Sequence, residues 1–442
     1  MPWELIIWIL SVLLCLGMIT QGKWEPWFSD RLARTEGRPW RWPLVGYPAA
    51  LVRVRFTWGR VCRVLDLDIP RRAPRSMLNR DTMVTGTVLK GLPPRIGIPR
   101  MTRNGFWVRV RLHPGQTPAQ FIAVADAFAH AWRVHQVRVT SPRRGVVELA
   151  AIGYDPLTGD RAWPTPPAPR LLTATLGRTD DAATWTVDLR KVPHWLVTGA
   201  TQSGKSTLLA SWLTELGSQP VILVGIDLKG GMELGLYERR LSALAVDRAE
   251  AIKVLTTVLS EVMERMADCR TAGVRSVWDL PEMTRPDPVV IIVDEVAELL
   301  LVASLNDRKE ATECATLLLR IAQLGAALGV HLILAAQRFG SDLGPGATAI
   351  RAQMGGRVCH RVNDEQTAVM TLGDLAPDAV AVAQTITEDE KGVAVTAVEG
   401  QWRRVRSRWT TPSALRNHAD LTNLPLTDAF LTPPQEGGVE HD

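Results

Sequence analysis

The chain has 442 residues, of which 46% are hydrophobic and 22% are charged, so it has room for about two or three globular domains. This composition argues against extensive disorder, and five cysteines without paired spacing argue against a disulfide framework or a zinc site. The net charge of +5 is uneven: residues 1–164 carry 24 Lys/Arg and 11 Asp/Glu, whereas the rest is net acidic. The basic first part predicts an acidic partner, either membrane lipid or nucleic acid.

The first apolar segment, Leu5–Ile19, contains no charged residue, and the uncharged run continues to Gly22. A run of this length is at the short end of what spans a bilayer. Glu4 precedes the run and Lys23 with several arginines follows it, so the positive-inside rule places the bulk of the chain in the cytoplasm. We therefore predict a single transmembrane anchor over residues 1–22. A signal peptide and a buried helix are the alternatives.

Seven of the 16 tryptophans lie within the first 60 residues, which predicts an interface in this part of the chain. Tryptophan is enriched at the headgroup zone of bilayers. Four residues suit that zone, the last two as additional candidates: Trp24, Trp27, Trp40 and Trp42. Residues 23–80 are interpreted as a basic juxtamembrane connector with one strand near Leu51–Trp58.

A small α+β domain is predicted over residues 81–155. Its segments alternate between period-2 and helical spacing of apolar residues, in the order strand, helix, strand, strand. The four segments are Phe106–Leu112, Pro118–Arg133, Val137–Val139 and Val146–Ile152. Residues 156–183 follow as a Pro-rich linker, since proline stiffens a connecting segment.

Residues 184–410 alternate buried strands with helices, which predicts an α/β domain whose parallel sheet is covered on both faces. The predicted strands are Val192–Thr198, Val221–Ile226, Val289–Val293 and His331–Ala335. The predicted helices are Ser206–Leu216, Arg248–Thr271 and Glu310–Leu328. Residues 411–442 contain proline, glycine and acidic groups and are predicted to be a flexible tail.

One glycine-rich segment, GATQSGKS, matches the phosphate-loop pattern G-x-x-x-x-G-K-[ST] and lies between a predicted strand and a predicted helix. Small residues let backbone N–H groups surround phosphates, Lys205 reaches the β- and γ-phosphates, and the Ser206 hydroxyl ligates Mg²⁺. A chance glycine-rich turn is the alternative. The pattern predicts a RecA-like P-loop motor domain with ATP and Mg²⁺ as cofactors. The predicted nucleotide-binding residues are Gly199, Ala200, Thr201, Gln202, Ser203, Gly204, Lys205, Ser206 and Thr207.

The predicted strand Val289–Val293 ends in two carboxylates, Asp294 and Glu295. We expect Asp294 to hold Mg²⁺ through water and Glu295 to orient or deprotonate the attacking water. For Glu295, a carboxylate that favours the start of a helix is the alternative.

Two other strand ends carry polar residues. Gln337 ends the segment HLILAAQ, where it can sense the γ-phosphate, or it is simply a polar residue at the edge of the sheet. Asp227 and Lys229 follow another strand and either bind nucleotide-side groups or pair with each other.

These segments together resemble the FtsK/SpoIIIE family of DNA translocases. The resemblance covers about residues 80–410, and the small α+β domain looks like the one that precedes the motor in this family. The stretches that carry it are PHWLVTGATQSGKST (193–207), IDLKGGMELGLYE (226–238), VVIIVDEVAELL (289–300), LGVHLILAAQR (328–338) and GGRVCHRVNDEQTAVMTLGD (355–374).

The resemblance implies a homo-oligomeric, hexameric ring with double-stranded DNA in a central pore and ATP hydrolysis between subunits. Such sites take an arginine from the neighbouring subunit, and Arg320 is the first candidate, with Arg265 and Arg361 as rivals. A division-type member has several spans, a long linker and a winged helix. With one predicted span and a short connector, this chain looks more like the Tra DNA-transfer proteins of actinobacterial conjugative plasmids and integrative elements.

The predicted function is a membrane-anchored, ATP-driven translocase of double-stranded DNA in plasmid transfer between cells. An FtsK-like motor for chromosome segregation or cell division is an alternative. A type VII secretion ATPase acting on protein is another, which a single P-loop disfavours. A coupling protein for single-stranded DNA would carry an inserted helical domain, and a scaffold without turnover would not need Glu295.

Overall fold

The computed structural model describes residues 42–69, 91–158, 168, 170–302, 307–344, 346–411 and 413. The chain divides into two compact units, Met1–Arg161 and Ala162–Asp442. The predicted anchor, residues 1–22, lies outside the described residues, as do Trp24, Trp27 and Trp40. In the described ranges, no helix has the length and apolar content required to cross a membrane.

The first unit is an antiparallel sheet packed against helices. The strands follow the order β1-β3-β5-β4, and β2 pairs with β3 on the same edge as β1. The strands are β1 (Arg95–Ile96), β2 (Arg100–Met101), β3 (Gly105–Arg111), β4 (Gln136–Arg143) and β5 (Val146–Ile152). A π-helical turn (Trp42–Gly46) precedes the helices α1 (Tyr47–Val64), α2 (Pro118–Ala123) and α3 (Ala125–Trp132).

The predicted strand at Leu51–Trp58 is wrong, because this segment lies in the middle of α1. The buried residues of α1 are Ala50, Val54, Trp58 and Cys62, which recur every four positions, the spacing of one helix face. Arg55 and Arg60 lie between them and are exposed. The segment therefore belongs to the core of the first unit and is not a connector. Trp42 and Trp58, only 8% and 5% exposed, are core residues as well, so neither contributes to the predicted interface. The other five tryptophans of the first 60 residues lie outside the described residues.

Stacked aromatic rings fill this core. The ring centroids of Phe128 and Trp132 are 5.2 Å apart, and those of Trp58 and Phe128 are 5.7 Å apart. The single helix predicted over Pro118–Arg133 is two short helices, broken at Val124. The break still leaves Phe121 and Phe128 stacked, with centroids 6.5 Å apart. The predicted strand–helix–strand–strand order is otherwise confirmed.

The second unit contains a ten-stranded mixed sheet in the order β10-β9-β11-β12-β8-β13-β14-β15-β6-β7. The strands are β6 (Thr173–Thr179), β7 (Thr184–Asp188), β8 (His194–Thr198), β9 (Ile222–Ile226), β10 (Ala243–Ala245), β11 (Val289–Val293), β12 (Val330–Ala336), β13 (Gly356–His360), β14 (Val393–Val398) and β15 (Gln401–Ser407).

Helices pack on this sheet and enclose two large clusters, one almost entirely aliphatic and one that also contains three tryptophans and a tyrosine. They are α4 (Lys205–Gly217), α5 (Arg248–Thr271), α6 (Val296–Leu300), α7 (Asp307–Leu324), α8 (Ala347–Gln353), α9 (Glu365–Leu372) and α10 (Ala379–Gln384). Every residue of β9 and β11 is buried, as expected for parallel strands covered on both faces. The α/β class and the strands predicted around the P-loop are thus confirmed.

The predicted parallel sheet is confirmed for six adjacent strands, in the order β10-β9-β11-β12-β8-β13. β14, β15, β6 and β7 extend the sheet in antiparallel pairs. β6 begins at Thr173, so the sheet includes residues that were predicted to be linker. Of the predicted tail, only residues 411 and 413 are described.

Candidate nucleotide-binding site

The P-loop joins β8 to α4 at the carboxyl edge of the parallel strands. Thr198 ends β8 and Lys205 begins α4, so the backbone N–H groups at the start of α4 face the loop. Gly204 has φ +117°, and a Cβ at this position would lie 2.6 Å from the Cα of Gly392. The glycine is therefore required both for the backbone conformation and for the close approach.

Hydrogen bonds from the antiparallel side of the sheet hold this loop in place. The Ala200 N–H donates to the Arg361 carbonyl at 2.8 Å, and the Gly392 N–H donates to the Ser203 carbonyl at 2.9 Å. Below the loop, the hydroxyls of Thr198 and Thr371 are 2.7 Å apart. Sequence reasoning missed these supports, because residues far along the chain provide them and no motif marks them.

The ammonium group of Lys205 lies inside the P-loop. It donates to the Gly199 carbonyl at 2.7 Å and lies 3.4 Å from the Ala200 carbonyl. Burial lowers the pKa of Lys205, while the carboxylates of Glu295 and Asp294 act in the opposite direction. The structure thus brings Lys205 close to both predicted acidic residues. Ser206 follows on the first turn of α4 with an exposed side chain.

Asp294 and Glu295 lie just beyond β11, between β9 and β12, with only 4% and 6% of their surface exposed. Glu295 Oε1 accepts a hydrogen bond from the Gln337 N–H at 3.1 Å, because Gln337 follows the adjacent strand β12. Burial raises the pKa of Glu295. The two strand ends predicted to be functional therefore meet, although the Gln337 group in contact is the backbone and its side chain is exposed.

Lys229, expected to bind nucleotide-side groups or to pair with Asp227, supplies a second cation to the carboxylates of Asp294 and Glu295, a contact that the sequence did not predict. Its Nζ is 3.2 Å from Asp294 Oδ2 and 3.7 Å from Glu295 Oε2. Burial lowers the pKa of Lys229, but Asp294 and Glu295 outweigh this effect, so the pKa is raised. The parallel pairing of β9 with β11 causes this contact, since the residues that follow each strand share one edge of the sheet.

The hydrogen-bond partners of Asp227 are backbone N–H groups of its own loop. Asp227 is fully buried, and its carboxylate accepts hydrogen bonds from the backbone N–H groups of Lys229, Glu233 and Leu234. Asp227 therefore shapes the loop, and that loop presents Lys229 to the acidic pair. The carboxylate is satisfied within the protein and is not aimed at a nucleotide.

The three candidate arginines have different surroundings. Arg265 is buried and donates to the carbonyls of Leu328 and Asp287, so it is committed to its own subunit, and its candidacy as a trans arginine is wrong. Arg320 is exposed on α7. Arg361 is half-buried beside the P-loop, with its guanidinium 3.5 Å from the Thr201 carbonyl.

The donor set suits a nucleoside triphosphate and a hard divalent cation. Ser206 and Asp294 offer the hydroxyl and carboxylate oxygens that Mg²⁺ prefers. Within the described part of the chain, the buried Glu295 Oε2 makes no hydrogen bond, so it is available to a water molecule. Loop, cation and carboxylates occupy one edge of the sheet, which is the arrangement required for hydrolysis of a terminal phosphate.

Comparison with known proteins assigns this arrangement to a family. A model described as the FtsK/SpoIIIE family matches residues 164–281 and 279–341. The transfer protein TraSA of Streptomyces ambofaciens is 38% identical over 398 residues, which are 86% of this chain and 95% of that protein. The chain belongs to the FtsK/SpoIIIE family. The site described above is accordingly that of an FtsK/SpoIIIE ATPase.

The first unit has its own match within this group: the N-terminal domain of actinomycete conjugal transfer proteins, over residues 31–153. That match begins well before residue 81 and agrees with the position of α1 in the core. The FtsK/SpoIIIE member DNA translocase FtsK of Lactococcus lactis subsp. cremoris is 29% identical over 60% of this chain and 37% of its own length.

One solved structure has the same fold over most of the chain. It is the monomer form of the pCW3 conjugation coupling protein TcpA with ATPgS, with a TM-score of 0.53 and 17% identity, covering 74% of this chain and 93% of that one. At this identity, the likeness shows the fold alone.

Proposed function

We propose that this protein is an ATP-driven translocase of double-stranded DNA that serves conjugative transfer between cells. The observation that carries the proposal is the buried Asp294–Glu295 pair beside a complete P-loop, in a chain related to a transfer protein over nearly its whole length. A protein that only bound nucleotide would not need a buried carboxylate with an oxygen that makes no hydrogen bond at this position. We propose that it works as a hexameric ring anchored to the membrane by residues 1–22.

The roles of the site residues follow from their positions. Lys205 and the backbone N–H groups at the start of α4 would bind the phosphates, and Ser206 and Asp294 would hold Mg²⁺, which would neutralise charge on the phosphates. Glu295 accepts the proton of the attacking water, since burial raises the pKa of its carboxyl. Gln337, whose N–H holds Glu295, couples the γ-phosphate site to β12.

The trans arginine is proposed to be Arg320, with Arg361 as the remaining rival. Arg320 is exposed, which suits a residue that reaches into a neighbouring subunit, whereas Arg361 is half-buried beside the P-loop of its own subunit. Mixing wild-type subunits with Glu295→Gln subunits that also carry Arg320→Ala measures which side of the interface supplies the arginine. Activity of the mixture that is unchanged by the second substitution would assign the role to Arg361.

The deciding experiment is ATP hydrolysis by the purified chain with and without duplex DNA. We expect strong stimulation by duplex, and its loss in Lys205→Ala and in Glu295→Gln. Absence of turnover under both conditions would overturn the motor proposal. Stimulation by single strands alone would favour a coupling protein for single-stranded DNA, and stimulation by a secreted protein alone would favour a type VII secretion ATPase.

The membrane anchor and the biological role need separate tests. Ultracentrifugation of lysed cells should place the chain in the membrane fraction, and recovery in the supernatant would contradict the anchor. Deletion of the gene should abolish plasmid transfer and leave cell division normal. A division defect with normal transfer would instead indicate a chromosome segregation motor.

A further inference from the structure

The sheet of the first unit has two unlike faces. On β3, Phe106, Val108 and Val110 are fully buried against the helices, while the alternating Arg109 and Arg111 are exposed. Successive residues of a strand point to opposite faces, so these arginines lie on the face away from the helices. We call that side the open sheet face and define its residues from the strand register.

Antiparallel pairing arranges the open sheet face in three rows, because residues directly opposite each other point to the same side. The first row is Arg100, Trp107, Ala150 and Arg138. The second row is Arg109, Glu148 and Thr140. The third row is Arg95, Arg111, Val146 and Arg143.

These rows concentrate positive charge on a flat surface. They contain six arginines and one carboxylate, Glu148, which accepts from Arg109 Nε at 2.6 Å. Strands lie about 4.8 Å apart and rows about 7 Å apart, so the backbone positions span roughly 14 Å in each direction. That span is close to the roughly 12 Å width of a DNA major groove, before the length of the arginine side chains is added.

A tryptophan holds part of this charge in place. The guanidinium carbons of Arg100 and Arg109 lie 5.1 Å and 4.9 Å from the ring centroid of Trp107. Cation–π contacts of this length orient guanidinium groups that would otherwise be mobile. Because side-chain ordering opposes binding, groups that are already ordered bind an anion at lower entropic cost.

We propose that the open sheet face binds the sugar–phosphate backbone of duplex DNA. The identity of the anion rests on the proposed function; the positive surface itself does not. Arginine is suited to phosphate because its planar fork donates two parallel hydrogen bonds. A membrane-binding surface also inserts large apolar side chains, but the three rows contain no Leu, Ile or Phe, and the ring of their one tryptophan, Trp107, is in contact with two guanidinium groups. DNA would thus be held by a site separate from the ATPase edge.

The test compares two triple variants of the full chain with equal loss of charge. The sheet variant is Arg95→Gln, Arg111→Gln and Arg143→Gln, and the helix variant is Arg55→Gln, Arg60→Gln and Arg63→Gln on α1. All six arginines are exposed. Binding of a labelled duplex of about 30 base pairs is followed by fluorescence anisotropy between about 50 and 200 mM salt. ATP hydrolysis without DNA, expected to be unchanged, checks that the motor is intact.

We expect the sheet variant to weaken duplex affinity by about tenfold or more. Its plot of log K against log salt should also be flatter by about 2.7, or 0.9 for each lost phosphate contact. The helix variant should stay within about twofold of the wild type. Equal losses in both variants, or none in the sheet variant, would overturn the proposal. So would loss of binding to phosphatidylglycerol vesicles with duplex binding intact.

The same measurements separate this inference from the proposed function. If duplex stimulates the wild-type ATPase while the sheet variant binds DNA normally, only the open sheet face fails. If duplex binds through that face but never stimulates turnover, the inference stands and the translocase proposal fails.

Discussion

The two units of this chain build their interiors from different side chains. In the first, a small cluster is dominated by aromatic rings, which include Trp58, Phe128 and Trp132. In the second, the cluster on one side of the sheet is almost entirely aliphatic, and Phe339 is its one buried aromatic residue among those described. A small unit buries little surface per residue, and large rings bury more apolar area for each side chain.

The contrast extends to the surfaces and the buried polar groups. The first part of the chain is strongly basic and the remainder is net acidic. The motor unit, in turn, buries histidines, arginines and carboxylates within or beside its sheet. Charge on the first unit is therefore available to a partner, whereas charge inside the motor is engaged in chemistry or costs stability when the pH changes.

The largest expected effect is on the stability of the motor in acid. Burial lowers the pKa of His194 to about 4, of His331 to about 3 and of His360 to about 4. The unfolded chain binds protons at these histidines below about pH 6.5, but the folded motor does not. The free energy of unfolding is therefore not reduced by these histidines above about pH 6.5. It falls as the pH falls towards about 4, by up to about 4 kcal/mol per pH unit for the three groups together.

Hydrogen–deuterium exchange with mass spectrometry at pH 7, 6 and 5 measures this loss for each unit separately, once intrinsic rates are corrected. Exchange of β3 and β5 in the first unit is the internal reference. His360→Asn should reduce the slope of the motor by about one third, since one of three protons is removed. An unchanged slope in that variant would show that other groups cause the acid sensitivity.

The second effect is on catalysis. Glu295→Gln should reduce turnover by about 10²–10⁴-fold because it removes the proton acceptor. Duplex affinity should stay within about twofold if DNA is held mainly by the first unit. The matched control is Glu298→Gln, an exposed residue on α6. Steady-state ATP hydrolysis and anisotropy are measured on the same samples, and a parallel loss of DNA binding would contradict the separation of the two sites.

Prediction from the sequence succeeded where one short segment contains the whole signal. The P-loop is contiguous, and β11 with Asp294 and Glu295 is a run of β-branched residues that ends in carboxylates. The contact between Lys229 and Asp294 was not predicted, because the loop that carries Lys229 reaches Asp294 only after β9 and β11 pair. The hydrogen bonds that join the P-loop to Gly392 and Arg361 were not predicted for the same reason.

The prediction was wrong where the amino-acid composition of a segment was given more weight than the spacing of its apolar residues. Arginine and tryptophan around α1 suggested a connector, while the four-residue spacing from Ala50 to Cys62 already indicated a helix. On β15, polar and apolar residues are mixed in the segment QWRRVRS, so no buried run marks it as part of the motor sheet.

The third effect tests the aromatic core. Trp132 is fully buried, and Trp132→Ala should destabilise the first unit by about 3–5 kcal/mol because of lost transfer energy and the cavity left behind. Phe56→Ala, at an exposed position in the same unit, should change stability by less than about 0.5 kcal/mol. Exchange of β3 and β5 should rise in the first variant alone. If β11 and β12 lose protection equally, the two units do not fold independently.

The smallest effect tests whether the antiparallel strands belong to the catalytic site. Gly392 has φ +80°, and an added Cβ would meet nothing closer than the Ser407 carbonyl at 3.7 Å, so Gly392→Ala causes backbone strain of about 1–2 kcal/mol without a clash. Gly400 is a matched control: its φ is +75°, its Cβ would lie 3.7 Å from the Leu375 carbonyl, and it occupies the turn between β14 and β15.

Both substitutions should lower stability by a similar amount, but only Gly392→Ala should weaken nucleotide binding. The reason is that the Gly392 N–H donates to the Ser203 carbonyl within the P-loop, whereas Gly400 has no such link. Titration with a fluorescent ATP analogue should give a Kd raised by about tenfold or less for Gly392→Ala, since 1.4 kcal/mol corresponds to a factor of ten. Equal Kd values for the two variants would mean that β14 only extends the sheet and that the parallel strands alone set the shape of the loop.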